Sequence, residues 1–143
     1  MSSEPAFQLD AALRIRLLLV DDEPDFKEVM LKHLSRRGIR LSVAECCLDA
    51  LDELDTAPAD VVIMDMHMPG ENGIQCLRQV KERWPLTEVI ILTGHASVQS
   101  GIEGMQGGAF DYCLKPIDVR ELLEKVELAA QKALINQEDA GAA

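Results

Sequence analysis

Apolar residues along the chain form three short uninterrupted runs at residues 17–20, 61–64 and 89–92. Each run consists of four aliphatic or methionine side chains and ends near a polar or acidic residue. Runs this short do not make a buried helix, but they are typical of strands that are covered on both faces. The pattern therefore predicts three central strands of a parallel sheet.

Two further segments, at residues 39–43 and 110–114, alternate between apolar and polar side chains instead. In a strand, successive side chains point to opposite faces, so alternation predicts one buried face and one exposed face. Half-exposed strands belong at the edges of a sheet whose centre is fully covered. We therefore expect the second and fifth strands to form the two edges.

Apolar residues at helical spacing fill the gaps between these strands. The four stripes consist of Phe26, Val29, Met30 and Leu34; of Leu48, Leu51 and Leu54; of Ile74, Leu77, Val80 and Trp84; and of Leu122, Val126, Ala129 and Ala133. Helix-breaking residues, Gly38, Pro58 and Pro85, close the first three stripes. The last stripe opens with Asp118 and Glu121, which resemble a capping box.

The fourth predicted helix, at residues 97–109, contains the glycines Gly101, Gly104, Gly107 and Gly108. An interior glycine costs a helix about 1 kcal/mol relative to alanine, so this helix is expected to be marginal and mobile. One of the last two glycines is suited to end the helix. The alternative reason for the glycines is that tight packing requires small residues there.

Strands and helices thus alternate along the chain, which predicts an α/β fold with a doubly wound parallel sheet. With the second and fifth strands at the edges and right-handed crossovers, the strand order is 2-1-3-4-5, a flavodoxin-like (βα)5 arrangement. We expect one domain at residues 13–136, preceded by a disordered leader at 1–12 and followed by a disordered tail at 137–143.

Composition narrows the functional classes. The 143 residues carry a net charge of −11, which opposes direct binding to nucleic acid. The apolar runs are far shorter than a membrane span, and the N-terminus lacks the pattern of a signal peptide, so a cytoplasmic protein is expected. The four cysteines, Cys46, Cys47, Cys76 and Cys113, lack zinc-binding spacing, and we expect them to be reduced thiols.

The chemistry lies at the carboxyl ends of the predicted strands. Asp21 and Asp22 follow the first strand, Asp65 the third, Thr93 the fourth and Lys115 the fifth. Parallel strands deliver these side chains to one edge, beside the position where the strand order reverses. Clustered carboxylates predict a divalent cation such as Mg²⁺, and the remaining two side chains are suited to a phosphoryl group. Taken singly, each acidic residue could equally cap the following helix.

Four motifs carry a family resemblance. They are Leu-Leu-Val-Asp21-Asp22-Glu-Pro, Val-Val-Ile-Met-Asp65-Met-His-Met-Pro-Gly, Ile-Leu-Thr93-Gly-His and Phe-Asp-Tyr112-Cys-Leu-Lys115-Pro116. Over residues 14–136, the sequence resembles the receiver domains of response regulators, the phosphoacceptor half of two-component signalling. The resemblance implies a signalling switch that gains and loses a phosphoryl group, rather than a conventional enzyme.

The resemblance also implies roles for individual residues. Asp65 is then the phosphoacceptor, and Asp22 and Asp65 bind Mg²⁺ directly, with the backbone carbonyl of His67 as a third ligand. Asp21 assists the metal through water, and Lys115 contacts the phosphoryl group.

Thr93 and Tyr112 are implied to form a switch pair, in which the hydroxyl moves onto the phosphoryl group and the ring turns inward. His67 and His95 stand two residues after Asp65 and Thr93. We predict that these imidazoles obstruct an attacking water and so set the lifetime of the phosphorylated state. The alternative is that both side chains point to solvent and have no function.

The implied partners are a sensor histidine kinase or a phosphotransfer protein, and an output domain or target protein that the sequence does not identify. A homodimer through the surface of the fourth helix, fifth strand and fifth helix is also expected. Two alternatives stay open at this point. One is a phosphohydrolase of the haloacid-dehalogenase type, although His67 occupies the place of that family's second aspartate. The other is a degenerate receiver that acts only through protein contact.

Overall fold

A computed structural model describes residues 15–37, 39–66, 70, 72–94 and 98–142 of the chain. Five strands alternate with five helices. In chain order they are β1 (Arg16–Val20), α1 (Pro24–Arg37), β2 (Arg40–Ala44), α2 (Cys47–Thr56), β3 (Val61–Asp65), α3 (Gly73–Arg83), β4 (Glu88–Thr93), α4 (Val98–Gln106), β5 (Asp111–Leu114) and α5 (Val119–Ala142).

All five strands run parallel in the order β2-β1-β3-β4-β5, which confirms the predicted topology. The central strands β3 and β4 are buried along their whole length, whereas β2 and β5 alternate in exposure. The uninterrupted and alternating apolar patterns of the sequence therefore correspond to the centre and the edges of the sheet.

The sheet buries a hydrophobic cluster on each face. On one face, alternate strand residues such as Leu18 and Val62 pack with α2 and α3. On the other face, Leu19 and Ile63 pack with α1 and α5. Complete burial of one such side chain contributes roughly 1.5–3 kcal/mol to folding, so these two layers fix the sheet that carries the candidate site.

In three helices, the buried residues differ in part from the predicted apolar stripe. Leu48 is 67% exposed, because α2 turns Ala50, Leu51 and Leu54 towards the sheet instead. Val29 of α1 is 42% exposed, and the buried residues of that helix are Met30 and Leu34. In α3, Ile74 is only partly buried, because Cys76 takes the position next to Leu77 and Val80. The stripe predicted for α5 is buried throughout.

Helix α5 continues to Ala142, which corrects the expectation of a disordered tail from residue 137. Polar side chains at the start of this extension form hydrogen bonds with residues at the amino edge of the sheet. The Asn136 amide donates to Glu88 Oε2 at 3.3 Å, and the Gln137 amide donates to Asp60 Oδ1 at 3.3 Å. These contacts join distant parts of the chain, so the local sequence does not reveal them.

The glycines of α4 lie at close packing positions, which favours the packing alternative considered above. A Cβ atom on Gly101 would lie 3.1 Å from the Tyr112 ring, and one on Gly104 would overlap Cδ1 of Ile91. Gly108 has a φ of 103°, and Ala109 N–H donates to Gly104 O while Gly108 N–H donates to Met105 O. This is a Schellman cap, which confirms a glycine as the end signal of the helix.

Cys47 and Cys76 form a disulfide between α2 and α3, with Cα atoms 5.9 Å apart. The expectation of four reduced thiols is therefore wrong for this pair. The two residues are 29 positions apart in sequence, and only the packing of the two helices brings them together. Cys46 and Cys113 are free thiols, and burial raises the pKa of Cys113 to about 11. In the described part of the chain, every helix falls short of the length and apolar character of a membrane span.

We expect Gly104→Ala to destabilise the domain, although alanine is the better helix former. The added methyl group would displace the buried Ile91 side chain, and the free energy of unfolding should fall by about 1–2 kcal/mol in urea denaturation. Adding Ile91→Val, which removes Cδ1, should recover most of that loss. The control is Gly141→Ala in α5, where a Cβ meets nothing within 4 Å. Equal stabilities of the Gly104→Ala and Gly141→Ala chains would contradict the packing role.

Candidate functional site

Three aspartates meet at the carboxyl edge of the sheet. Val20 pairs in register with Met64, so the next residues on β1 and β3, Asp21 and Asp65, lie side by side. Asp22 joins them, and one carboxylate oxygen from each of the three residues lies within 4.8 Å of the others. Asp21 and Asp65 are buried, whereas Asp22 is exposed. The predicted carboxylate cluster is therefore assembled as expected.

Backbone hydrogen bonds hold the first of these carboxylates rigidly. Asp21 N–H donates to Ala44 O at 3.0 Å, which extends the β1–β2 ladder by one residue. Asp21 Oδ1 in turn accepts a hydrogen bond from Glu23 N–H at 2.8 Å. The carboxylate thus also caps the turn that leads into α1, so the capping role and the functional role are combined in one residue.

Lys115 places its ammonium among the carboxylates. Its Nζ lies 3.0 Å from Asp21 Oδ2, 3.0 Å from Glu23 Oε1 and 3.3 Å from Asp65 Oδ2. The Lys115 side chain is only 13% exposed, so water weakly screens its ion pairs with the buried Asp21 and Asp65. The structure therefore brings the predicted cation of β5 to the predicted acidic cluster.

A backbone hydrogen bond positions Lys115, because its N–H donates to Thr93 O at 2.8 Å. The Lys115–Pro116 peptide bond is cis. The ammonium also lies 4.8 Å from the centre of the Phe26 ring, within cation–π range. Sequence reasoning placed Phe26 only in a buried stripe and did not identify Glu23 as a partner of Lys115. Both contacts depend on how α1 leaves β1, for which the sequence offers no separate signal.

The electrostatics of the cluster are unbalanced. Burial raises the pKa of Asp21, although the Glu23 N–H and Lys115 partly oppose this shift. Burial alone would lower the pKa of Lys115, but hydrogen bonds to Asp21 and Glu23 and the charge of Asp65 outweigh it and raise the pKa. Four carboxylates around one ammonium leave a formal charge of −3. This excess negative charge favours a bound cation.

The donor set is suited to Mg²⁺ or a similar hard cation. Carboxylate oxygens are the ligands that such ions prefer, and Asp21, Asp22 and Asp65 offer them from one small region. Because Asp22 is exposed to solvent, the cluster is accessible from solution.

Thr93 and Tyr112 lie on the adjacent strands β4 and β5. Thr93 ends β4, is buried, and pairs in register with Leu114. Tyr112 is 41% exposed, and its ring lies against Gly101 of α4. The hydroxyl residue thus stands at the carboxyl edge, and the aromatic residue lies on the outer strand beside a helix. His67 and His95 lie outside the described residues.

The family model of the response regulator receiver domain matches residues 17–127 of the chain. The chain belongs to this family.

Curated relatives of the receiver domain are longer regulators. The DNA-binding transcriptional regulator NtrC of Klebsiella pneumoniae is 36% identical over 111 residues, which cover 78% of this chain and 24% of that protein. The response regulator protein PilR of Pseudomonas aeruginosa is 33% identical over 116 residues, which cover 81% and 26%. The chain thus spans about a quarter of the length of these relatives.

Solved structures agree with the fold. The receiver domain of the TMAO respiratory system response regulator TorR superposes with a TM-score of 0.79 at 26% identity, covering 83% of this chain and 98% of that one. The beryllofluoride-activated NtrC4 receiver domain dimer gives a TM-score of 0.78 at 27% identity, covering 82% and 98%. The five-stranded parallel architecture is therefore that of a receiver domain.

We expect Asp21→Asn to stabilise the receiver domain when no divalent cation is present. Because the pKa of Asp21 is raised on folding, the folded chain retains this proton to a higher pH than the unfolded chain. Ionisation of Asp21 therefore costs stability as pH rises above the ordinary aspartate range. At pH 7 with a chelator, the free energy of unfolding measured by urea denaturation should be about 1 kcal/mol higher for the asparagine variant than for the wild type.

The same variant should show a smaller gain in stability on addition of Mg²⁺, because one anionic ligand is lost. Asp55→Asn is the control, since that carboxylate is exposed and pairs with Arg83 away from the cluster. It should shift the free energy by no more than about 0.5 kcal/mol. An Asp21→Asn chain less stable than the wild type under chelation would contradict the electrostatic account.

Proposed function

We propose that Asp65 accepts a phosphoryl group from the phosphohistidine of a sensor histidine kinase or phosphotransfer protein in a Mg²⁺-dependent reaction. The observation that carries this proposal is the joint position of three aspartates and Lys115 at one edge of the sheet. Membership of the receiver family supports it. The described residues and the comparisons contain no observation that favours a dehalogenase-type phosphohydrolase or a degenerate receiver.

The transfer replaces one bond to phosphorus with another. A carboxylate oxygen of Asp65 attacks the phosphorus atom, the phosphorus–nitrogen bond of the donor breaks, and the imidazole leaves with that electron pair. Lys115, already 3.3 Å from Asp65 Oδ2, is placed to bind an oxygen of the incoming group. Its raised pKa keeps the ammonium charged throughout the physiological range.

Asp21, Asp22 and Asp65 would hold the Mg²⁺, with the backbone carbonyl of His67 as a further proposed ligand. When bound, the cation supplies charge that stabilises the oxygens of the transferring phosphoryl group. Asp21 has a second task, because it holds the Lys115 ammonium at 3.0 Å and so orients it towards Asp65. Asp22 is the exposed member of the set and would offer its carboxylate to a cation that arrives from solvent.

Thr93 and Tyr112 are proposed to report the phosphoryl group to the surface. Thr93 is buried at the end of β4, where its hydroxyl would donate to a phosphoryl oxygen. Its movement would vacate space for the Tyr112 ring, which is 41% exposed in the present conformation. The backbone bond from Lys115 N–H to Thr93 O links the two strands on which this change would occur.

The face formed by α4, β5 and α5 is the proposed output surface. Ile102 and Met105 of α4, together with Tyr112 and Leu114 of β5, are each more than 40% exposed. Exposed apolar side chains on one face favour protein contact. The similar NtrC4 receiver domain forms a dimer in its beryllofluoride-activated state, which supports a homodimer for this chain, and the exposed apolar residues make this face the proposed interface. The net charge of −11 opposes direct contact with nucleic acid.

His67 and His95 are proposed to set the lifetime of the phosphorylated state. The support is their position in the sequence, two residues after Asp65 and Thr93. Imidazoles at such positions would obstruct the line of attack by water. The effect of each histidine on this lifetime is a prediction.

We expect a small phosphodonor such as acetyl phosphate to add about 80 Da to the intact chain only when Mg²⁺ or Mn²⁺ is present. Asp65→Asn should remove the adduct, because the nucleophile is lost. Asp22→Asn should retain it but require more metal, because one anionic ligand is missing. Asp60→Asn, at the opposite edge of the sheet, is the matched control and should react like the wild type. An adduct that persists in Asp65→Ala would show that another residue is the acceptor.

A further inference from the structure

The Cys47–Cys76 disulfide lies next to the candidate site rather than in a remote part of the core. Cys47 is the first residue of α2, and Cys76 lies in the first turn of α3. Both helices begin at the carboxyl edge of the sheet, because each follows a parallel strand. The bond therefore joins two helix starts at the edge where Asp65 ends β3.

The two cysteines differ in exposure. Cys76 is 1% exposed and belongs to the hydrophobic cluster, whereas Cys47 is only partly buried against that cluster. Cys47 is therefore the member of the pair that a small thiol from solution reaches first.

Close packing connects this bond to Asp65. A Cβ atom on Gly73, the first residue of α3, would lie 2.7 Å from Met66 Sδ and 3.1 Å from Met66 Cα. Met66 follows Asp65 directly, and its N–H donates to Leu92 O at 2.9 Å. The first turn of α3 thus rests on the backbone immediately after Asp65, with no space for a side chain between them.

We propose that Cys47 and Cys76 are a reversible thiol–disulfide modification site, and that the bond holds the first turn of α3 against Met66 and so keeps Asp65 in position for its metal. The first part depends only on the cysteines. The second part rests on the proposed function, because it assigns the regulation of the Asp65 site.

Formation of the bond requires an oxidant, for which a peroxide is the proposed class. The two thiols lose two hydrogens, and hydrogen peroxide is reduced to two waters. In the reverse direction, the thiolate of a small thiol such as glutathione attacks Cys47 Sγ, the sulfur–sulfur bond breaks, and Cys76 leaves as a thiolate that takes up a proton. A second small thiolate then attacks the mixed disulfide, which releases Cys47 and the oxidised small thiol.

The modification site is tested by equilibrating the purified chain in glutathione buffers of graded redox ratio, followed by rapid alkylation under denaturing conditions and intact mass analysis. We expect Cys47 and Cys76 to become alkylated together as the buffer becomes more reducing. Cys46 and Cys113 should be alkylated at every ratio. Cys46→Ser should retain the paired transition, whereas Cys47→Ser should abolish it and leave Cys76 always modified.

Three results would overturn the modification site. One is alkylation of Cys47 and Cys76 at every ratio, including after peroxide treatment of the reduced chain. Another is alkylation of neither residue at any ratio, which would show a permanent bond. The third is a paired transition that is lost in Cys46→Ser and retained in Cys47→Ser, which would assign the bond to the other cysteine. A thermal unfolding midpoint about 10 °C higher in the oxidised chain is expected as well, because the bond closes a long loop in the unfolded state.

The link to Asp65 is tested by calorimetric Mg²⁺ titration of the oxidised and reduced chains, without any phosphodonor. We expect about threefold weaker binding after reduction, since the metal must then order the edge of the site itself. Cys47→Ser should match the reduced wild type in both redox conditions, and Cys46→Ser should follow the wild type. Equal affinities in the two states would overturn the link. Absence of Mg²⁺ binding in both states would count against the proposed function. In that case the alkylation experiment would still test whether Cys47 and Cys76 form a reversible disulfide.

Discussion

Repulsion among carboxylates at one edge of the sheet is the constraint on which the account depends. Asp21, Asp22 and Asp65 place carboxylate oxygens within 4.8 Å of one another. Glu23, which forms an ion pair with Lys115, adds a fourth negative charge. Charges of one sign at this distance destabilise a buried site unless cations join them. Lys115 supplies one positive charge, and the negative charge that remains is the physical basis of the proposed site for a divalent cation and a phosphoryl group.

The rest of the fold provides the rigidity that this cluster requires. The buried strands β1, β3 and β4 hold Asp21, Asp65 and Thr93 in fixed register. The hydrophobic clusters on both faces of the sheet stabilise the fold and so offset the repulsion among the carboxylates. Lys115 reaches the cluster from β5 because its backbone is tied to Thr93 O. The site is thus assembled from the ends of four strands, β1, β3, β4 and β5, so a change in the position of one strand alters the electrostatic balance of the whole edge.

Much of this arrangement is predictable from sequence, since strand order and site location depend on local patterns. Unbroken apolar runs marked the central strands, and the polar residues after them marked the site. Contacts between distant segments were not predictable. The Phe26–Lys115 contact, the Cys47–Cys76 bond and the hydrogen bond from Gln137 to Asp60 each join segments that are far apart in sequence. The glycines of α4 show the same limit, because propensity indicated a marginal helix while packing explains why Gly104 has no side chain.

A calorimetric Mg²⁺ titration of the wild type and of Lys115→Met tests the central claim most directly. The Lys115 ammonium lies 3.0 Å from Asp21 and 3.3 Å from Asp65, so it competes with a cation for the same carboxylates. We expect one Mg²⁺ per chain in both proteins, with an affinity about tenfold higher in Lys115→Met, since removing a nearby positive charge leaves a stronger negative field. Unchanged or weaker binding in that variant would show that charge imbalance among these residues does not govern the site.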